Sequence, residues 1–336
     1  MAILLKRTFD EAVAILEKHC DELMQNQNWH SIAVTEDPNC ADSHILEVWV
    51  YDFEEAKTQF SDPLNRLFKD SNVYDGKITC LLSPGRRKDP MKADGIDSEE
   101  IWTHINKIPT TKKSRTIRVN PNCDKEIRKM GHMLRNSKKP GSGTIGCFVE
   151  SQQGDIYAVT AYHVVKPENN SDDGLGDVII SPAIKGKELG ILSWGELDDY
   201  SDICLIKVTN TAFLEKGSIC CINLAKDIGP PPQKGDEVRI CSSVDFVEIK
   251  CATVKHTDAA TRIEKGSPDI AKRRIITTDL GSPGDSGAIV INENDQAVGL
   301  FTKDAGINYS QFMPLEILKG PLKMHDGSTF RFKEFY

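Results

Sequence analysis

Gly284-Asp285-Ser286-Gly287 is the stretch on which the reading of the fold depends. Its glycines permit a tight turn that can aim backbone N–H groups at one point beside a serine hydroxyl. Alone, this tetrapeptide is a plausible bare turn. Two upstream segments give it weight. Thr160-Ala161-Tyr162-His163-Val164-Val165 is a β-branched and aromatic run carrying a histidine, and Asp202-Ile203-Cys204-Leu205-Ile206-Lys207-Val208 opens an apolar strand with an aspartate. His163 and Asp202 lie 39 residues apart, and Asp202 and Ser286 84 apart. Taken singly, the histidine reads as a satisfied core residue and the aspartate as a strand-start turn residue. Taken together, His, Asp, Ser is one of the few orders in which the serine-hydrolase triad recurs.

The chemistry explains why these residue types belong together. A serine hydroxyl is a poor nucleophile near neutrality and needs a base within hydrogen-bond reach. Histidine takes and returns a proton in that range. A buried carboxylate then holds the imidazole in one tautomer. Ser286 is thus the candidate nucleophile, His163 the general base and acid, and Asp202 the orienter. The backbone N–H groups of Gly284 and Ser286 form the candidate oxyanion hole. The competing α/β-hydrolase elbow needs Gly-x-Ser-x-Gly and a serine ahead of its histidine. Here Ala288 occupies the place of the last glycine, and His325 is the only histidine after Ser286.

The three segments resemble the active-site blocks of the trypsin-like (chymotrypsin-fold) serine proteases, which read Thr-Ala-x-His, Asp-Ile-x-Leu-x-Lys and Gly-Asp-Ser-Gly. Gly141-Ser142-Gly143-Thr144-Ile145-Gly146 resembles the Gly-Ser-Gly strand that opens the HtrA-type branch, and Gly299-Leu300-Phe301-Thr302 resembles the strand lining the specificity pocket. The similarity covers residues 140 to 320. It implies a mainly β fold, with a two-barrel protease domain over 141–325 and a cleft between the barrels. It also implies endopeptidase activity on protein or peptide substrates through an acyl-enzyme, with no metal or cofactor. A catalytically silent protease-fold scaffold or interaction protein is the alternative.

By the family's spacing Leu280 stands at the specificity position, six residues before the serine. No carboxylate occupies it, so a choice of Lys or Arg is not supported, with Asp304 or Asp279 as other sources of negative charge. Thr302, Lys303 and Asp304 sit where the family offers strand pairing to substrate. In the family the aspartate before the serine, here Asp285, commonly pairs with an N-terminus freed by zymogen cleavage and beginning Ile-Val-Gly-Gly. This chain has Gly141-Ser142-Gly143-Thr144 at that place. A local donor to Asp285, and competence without cleavage, are the expectations.

Composition sets bounds on the rest. In 336 residues, 39% hydrophobic and 27% charged, the chain has the profile of a globular protein with two domains. A net charge of −8 argues against general nucleic-acid or anionic-membrane binding. No apolar run approaches a membrane span, and Met1-Ala2-Ile3-Leu4-Leu5-Lys6-Arg7 has its charges in the wrong order for a secretory signal. Ten cysteines are present. Secreted relatives usually carry cysteines after the histidine and around the serine, where this chain has Val164 and Ser282. Cys147, Cys204 and Cys241 fall inside apolar strand patterns. Reduced thiols, no disulfides and an intracellular, cytoplasmic setting are expected.

Three segments follow along the chain. Residues 1–83 read as a small α+β domain with a docking or regulatory role toward a protein partner. They contain an amphipathic helix over 8–25 that Thr8 caps with Glu11, strands over 30–34, 44–51 and 77–82, and a helix over 52–68. Residues 84–140 read as a polar linker that turns basic, with ten Lys or Arg against Asp124 and Glu126 between 111 and 140. From Gly141 short strands and Gly, Asn and Pro turns predominate. Residues 255–272 read as an exposed loop.

Overall fold

A computed structural model describes residues 8–25, 29–36, 44–50, 80–82, 115–118, 128–139, 141–167, 173–181, 187–211, 214–219, 222–223, 227–242, 248–262, 270–278, 280–281, 284–304 and 309–336. The fold is mainly β, and the chain divides into two compact units.

The first unit is built from residues 1–113, 256–274 and 306–308. Helix α1 (Phe9–Leu23) opens with a reciprocal cap: the Thr8 N–H donates to Glu11 Oε2 at 2.9 Å, and the Glu11 N–H to Thr8 Oγ1 at 3.3 Å. Ala12, Leu16, Cys20 and Met24 recur every fourth residue and form its buried stripe. The strand Trp29–Glu36 runs antiparallel to His44–Val50, which pairs in parallel with Cys80–Leu82. Its other edge pairs Ser31 with Thr261 and Ile32 with Ala260. The helix expected over 52–68 lies outside the described residues.

This pairing corrects the reading of 255–272. The strands Glu248–Arg262 and Ile270–Thr278 run through most of that stretch. Ala259, Ala260, Thr261, Arg262, Ile270 and Ala271 are all buried. Composition misled because the stretch is polar. Within the unit, however, Arg262 donates to the Met24 carbonyl, while Lys272 and Arg273 pair with Asp21 and Glu17 at 2.7 and 2.9 Å.

The second unit comprises residues 114–255, 275–305 and 309–336. One curled sheet runs in the order Phe332–Phe335, Cys147–Ser151, Ile156–Thr160, Asp202–Val208, Lys187–Leu197, Val178–Ser181, Met133–Asn136, Gly143–Thr144. The other begins with Glu237–Ser242 and continues through Ile289–Asn292, Ala297–Asp304 and Tyr309–Pro314. It then takes in this unit's parts of Ile270–Thr278 and Glu248–Arg262, and Glu237–Ser242 pairs back onto the last of these to close a barrel. Phe301, Phe312, Leu280, Val290 and Ile240 fill its core. The first sheet wraps around Phe148, Val159, Leu192, Ile206 and their neighbours.

These units divide the chain differently from the boundaries read at 83, 140 and 325. Arg115–Arg118, Arg128–Met130 and Met133–Asn136 are strands of the second unit, although they lie in the stretch read as linker. Phe332–Phe335 pairs with Cys147–Ser151 and carries that unit to the last residues. The basic residues obscured these short strands.

Cys20, Cys147, Cys204 and Cys251 are buried thiols. Burial pushes the Cys147 and Cys204 thiols up, and at Cys204 the Asp202 charge adds to it. Cys241 departs from the expectation of reduced thiols and no disulfides, being disulfide-bonded.

Candidate active site

Strand register explains how His163 and Asp202 meet. Ile156–Thr160 and Asp202–Val208 are antiparallel neighbours with Thr160 opposite Cys204, so the exit of one strand lies beside the entry of the other. Beyond Thr160 the chain turns at Ala161 into the single-turn helix α2 (Tyr162–Val165). Tyr162, Val164 and Val165 are buried, and the His163 side chain stays 41% exposed. Asp202 is 7% exposed and directs both carboxylate oxygens at that histidine. Oδ2 lies 2.6 Å from His163 Nδ1, and Oδ1 accepts the His163 backbone N–H at 3.0 Å. The Asp202 N–H donates to Met313 Sδ at 3.3 Å.

Ser286 sits on a turn whose backbone only glycine adopts easily on both sides. Gly284 has φ +98° and Gly287 φ +92°. A Cβ on Gly287 would lie 2.1 Å from Thr160 Oγ1 and 2.5 Å from the Thr144 carbonyl oxygen, so a larger residue there collides as well as strains. The turn is tied from outside by Thr144, whose N–H donates to the Ser286 carbonyl and whose Oγ1 donates to the Gly284 carbonyl, both at 2.8 Å. Between these glycines Asp285 is 1% exposed and pairs with Lys250 Nζ at 2.7 Å. Asp285 thus has a local basic partner, as expected.

The Ser286 hydroxyl donates to the Thr302 carbonyl at 3.1 Å. Among the described residues, none accepts a hydrogen bond from the backbone N–H of Gly284 or Ser286. Thr302 is itself buried and donates through Oγ1 to the Gln311 carbonyl at 3.4 Å. Lys303 and Asp304 continue the same strand, paired with Gln311 and Ser310. Leu280 is packed in the core of the closed barrel, its N–H donating to Ser310 Oγ at 3.0 Å. Among the described residues, no group of three or more His, Cys, Asp or Glu side chains gathers as a metal site.

Sequence reading missed Asn136 and Lys139, which bond to α2, Lys138 and Asp177, which bond to Asn136, and Thr144 and Lys250, which fix the serine turn. Asn136 and Lys139 donate to the Val165 and His163 carbonyls at 2.8 and 2.7 Å, respectively. Asp177 is buried, which opposes its ionisation, yet Asn136 and Lys138 hold its carboxyl below the usual range. The basic count drew attention to 111–140, but a count does not separate bonded lysines from solvated ones.

The family model for the trypsin-like peptidase domain matches residues 141–300. Three solved structures show the level of likeness. A glutamic acid-specific serine protease, described as using a histidine triad in substrate binding, is 15% identical with a TM-score of 0.45, covering 57% of this chain and 96% of its own. A Nocardiopsis protease is 15% identical with a TM-score of 0.44, covering 60% and 98%. Thermobifida fusca protease A is 14% identical with a TM-score of 0.45, covering 61% and 98%. No curated protein sequence matches the chain. Residues 141–300 thus carry a trypsin-like peptidase domain, and over that stretch the chain is similar to the trypsin-like, chymotrypsin-fold serine proteases.

Proposed function

We propose that the protein is a serine endopeptidase in which Ser286, His163 and Asp202 act as nucleophile, base and orienter. The observation that carries this reading is the doubly held histidine, with Asp202 Oδ2 at 2.6 Å from Nδ1 and Oδ1 on the backbone N–H. A carboxylate on Nδ1 leaves Nε2 as the acceptor for a serine proton. The Ser286 hydroxyl turns from the Thr302 carbonyl toward His163 and gives up its proton as Oγ attacks the substrate carbonyl carbon. The oxygen that gains charge is received by the N–H groups of Gly284 and Ser286. His163 then protonates the leaving amine, and the acyl-enzyme forms. Water enters by the same steps in reverse order, delivering its proton to His163 and releasing Ser286.

The hydrogen bond from Ser286 to the Thr302 carbonyl favours a second reading, in which the fold serves as a silent scaffold with its serine turned away. One experiment separates the two. Wild type and Ser286→Ala are treated with a fluorophosphonate, and label is mapped by mass spectrometry. The hydrolase reading expects label on Ser286, a mutant that folds but does not label, and turnover lower by about 10⁴–10⁶. Equal labelling of the two proteins leaves the scaffold.

A further inference from the structure

A one-turn helix has little cooperativity of its own and leaves its last carbonyls without helical partners. In α2 the Lys166 N–H takes the Tyr162 carbonyl at 2.8 Å, and the next partners come from far upstream. Lys139 Nζ donates to the His163 carbonyl, and Asn136 Nδ2 to that of Val165. The Lys139 N–H donates to the Asn136 carbonyl at 3.3 Å. Asn136 is buried, its Nδ2 also donating to Asp177 Oδ2 at 2.9 Å and its Oδ1 accepting the Lys138 N–H at 2.9 Å. The Lys138 ammonium meets the other oxygen of Asp177.

The same stretch then turns back through Gly141 and pairs with itself, Leu134 opposite Gly143 and Met133 opposite Thr144. Its returning strand supplies Thr144, which holds the Ser286 and Gly284 carbonyls. One hairpin therefore touches the backbone beside the candidate base at one end and beside the candidate nucleophile at the other.

We propose that the hairpin from Met133 to Thr144 is a strap that sets the relative placement of His163 and Ser286, with Lys139 the positioning residue for His163. The proposal rests on His163 being the base. Lys139 is half-buried and bonds to the backbone carbonyl of His163. It acts through the His163 carbonyl, by a charge-assisted bond of the stronger kind. A displacement of about 1 Å in a catalytic group costs roughly a hundredfold in rate, so a loosened carbonyl is enough to be measured.

The test uses the full chain as wild type, Ser286→Ala, Lys139→Met and Lys139→Arg. Fluorophosphonate labelling rate is measured beside the thermal unfolding midpoint. Lys139→Met is expected to label about tenfold to a hundredfold more slowly with its midpoint nearly unchanged. Lys139→Arg, which keeps a charged donor, is expected to recover most of the loss. If Lys139→Met does not fold, Lys139→Gln takes its place in the same comparison. Labelling at the wild-type rate, or a loss that arginine does not restore, overturns the strap. A wild type that labels no faster than Ser286→Ala removes the hydrolase reading itself, and the strap falls with it.

Discussion

Asp202 meets two N–H groups of the same residue, and that double role decides what a substitution there does. Oδ2 faces the ring and Oδ1 faces the backbone of His163, so both positions demand an acceptor. An asparagine offers one oxygen and one NH₂, so one partner is left facing a donor, or the ring takes the other tautomer. Asp202→Asn is expected to slow Ser286 labelling by about 10³–10⁴ while the protein stays folded. A variant that labels at the wild-type rate would remove Asp202 from the site. This pairing was legible in sequence because each residue sits next to a strand end, and the two strands are neighbours. Lys250 was not. It lies between Ile249 and Cys251, where a lysine in an alternating strand reads as solvent-facing. Its side chain is only 16% exposed, because Asp285 meets it from 35 residues away.

Elements were legible where local rules and tertiary packing agree. Helix α1 begins where the Thr8 and Glu11 pair placed it, and the strands Trp29–Glu36 and His44–Val50 form where strands were read at 30–34 and 44–51. Thr8→Ala removes the acceptor for the Glu11 N–H, in an exposed position where little else compensates. The first turn of α1 is expected to lose about 1 kcal/mol of protection, seen as roughly fivefold faster amide hydrogen exchange over the start of Phe9–Leu23. Unchanged exchange would mean that packing of Ala12 and Leu16, rather than the cap, fixes the helix start. Residues 255–272 show the opposite case. Their strand character comes from pairing with Trp29–Glu36, more than two hundred residues earlier, and from charged partners on α1. No local pattern carries information at that distance, and polar composition alone favoured a loop.

At the scale of the whole molecule, the question is whether the serine turn waits for a cut in the chain. Three contacts fix that turn, and all three come from the intact chain. Lys250 neutralises Asp285, Thr144 holds the carbonyls of Gly284 and Ser286, and the Gly287 N–H donates to the Phe301 carbonyl at 2.8 Å. A carboxylate as buried as Asp285 is costly unless paired, and an ammonium at 2.7 Å supplies that pairing without a freed terminus. Gly141 and Ser142, where a new terminus would arise, are exposed, whereas Asp285 is buried against Lys250. The full-length protein is therefore expected to label at Ser286 without processing. The measurement pairs a chain confirmed intact by mass spectrometry with one carrying a site-specific protease site beside Gly141, assayed before and after cutting. Labelling in all three samples, with no more than a few-fold change on cutting, is the expected result. Labelling that appears only after the cut would make the protein a zymogen, and would mean that Lys250 holds Asp285 in a turn not yet competent.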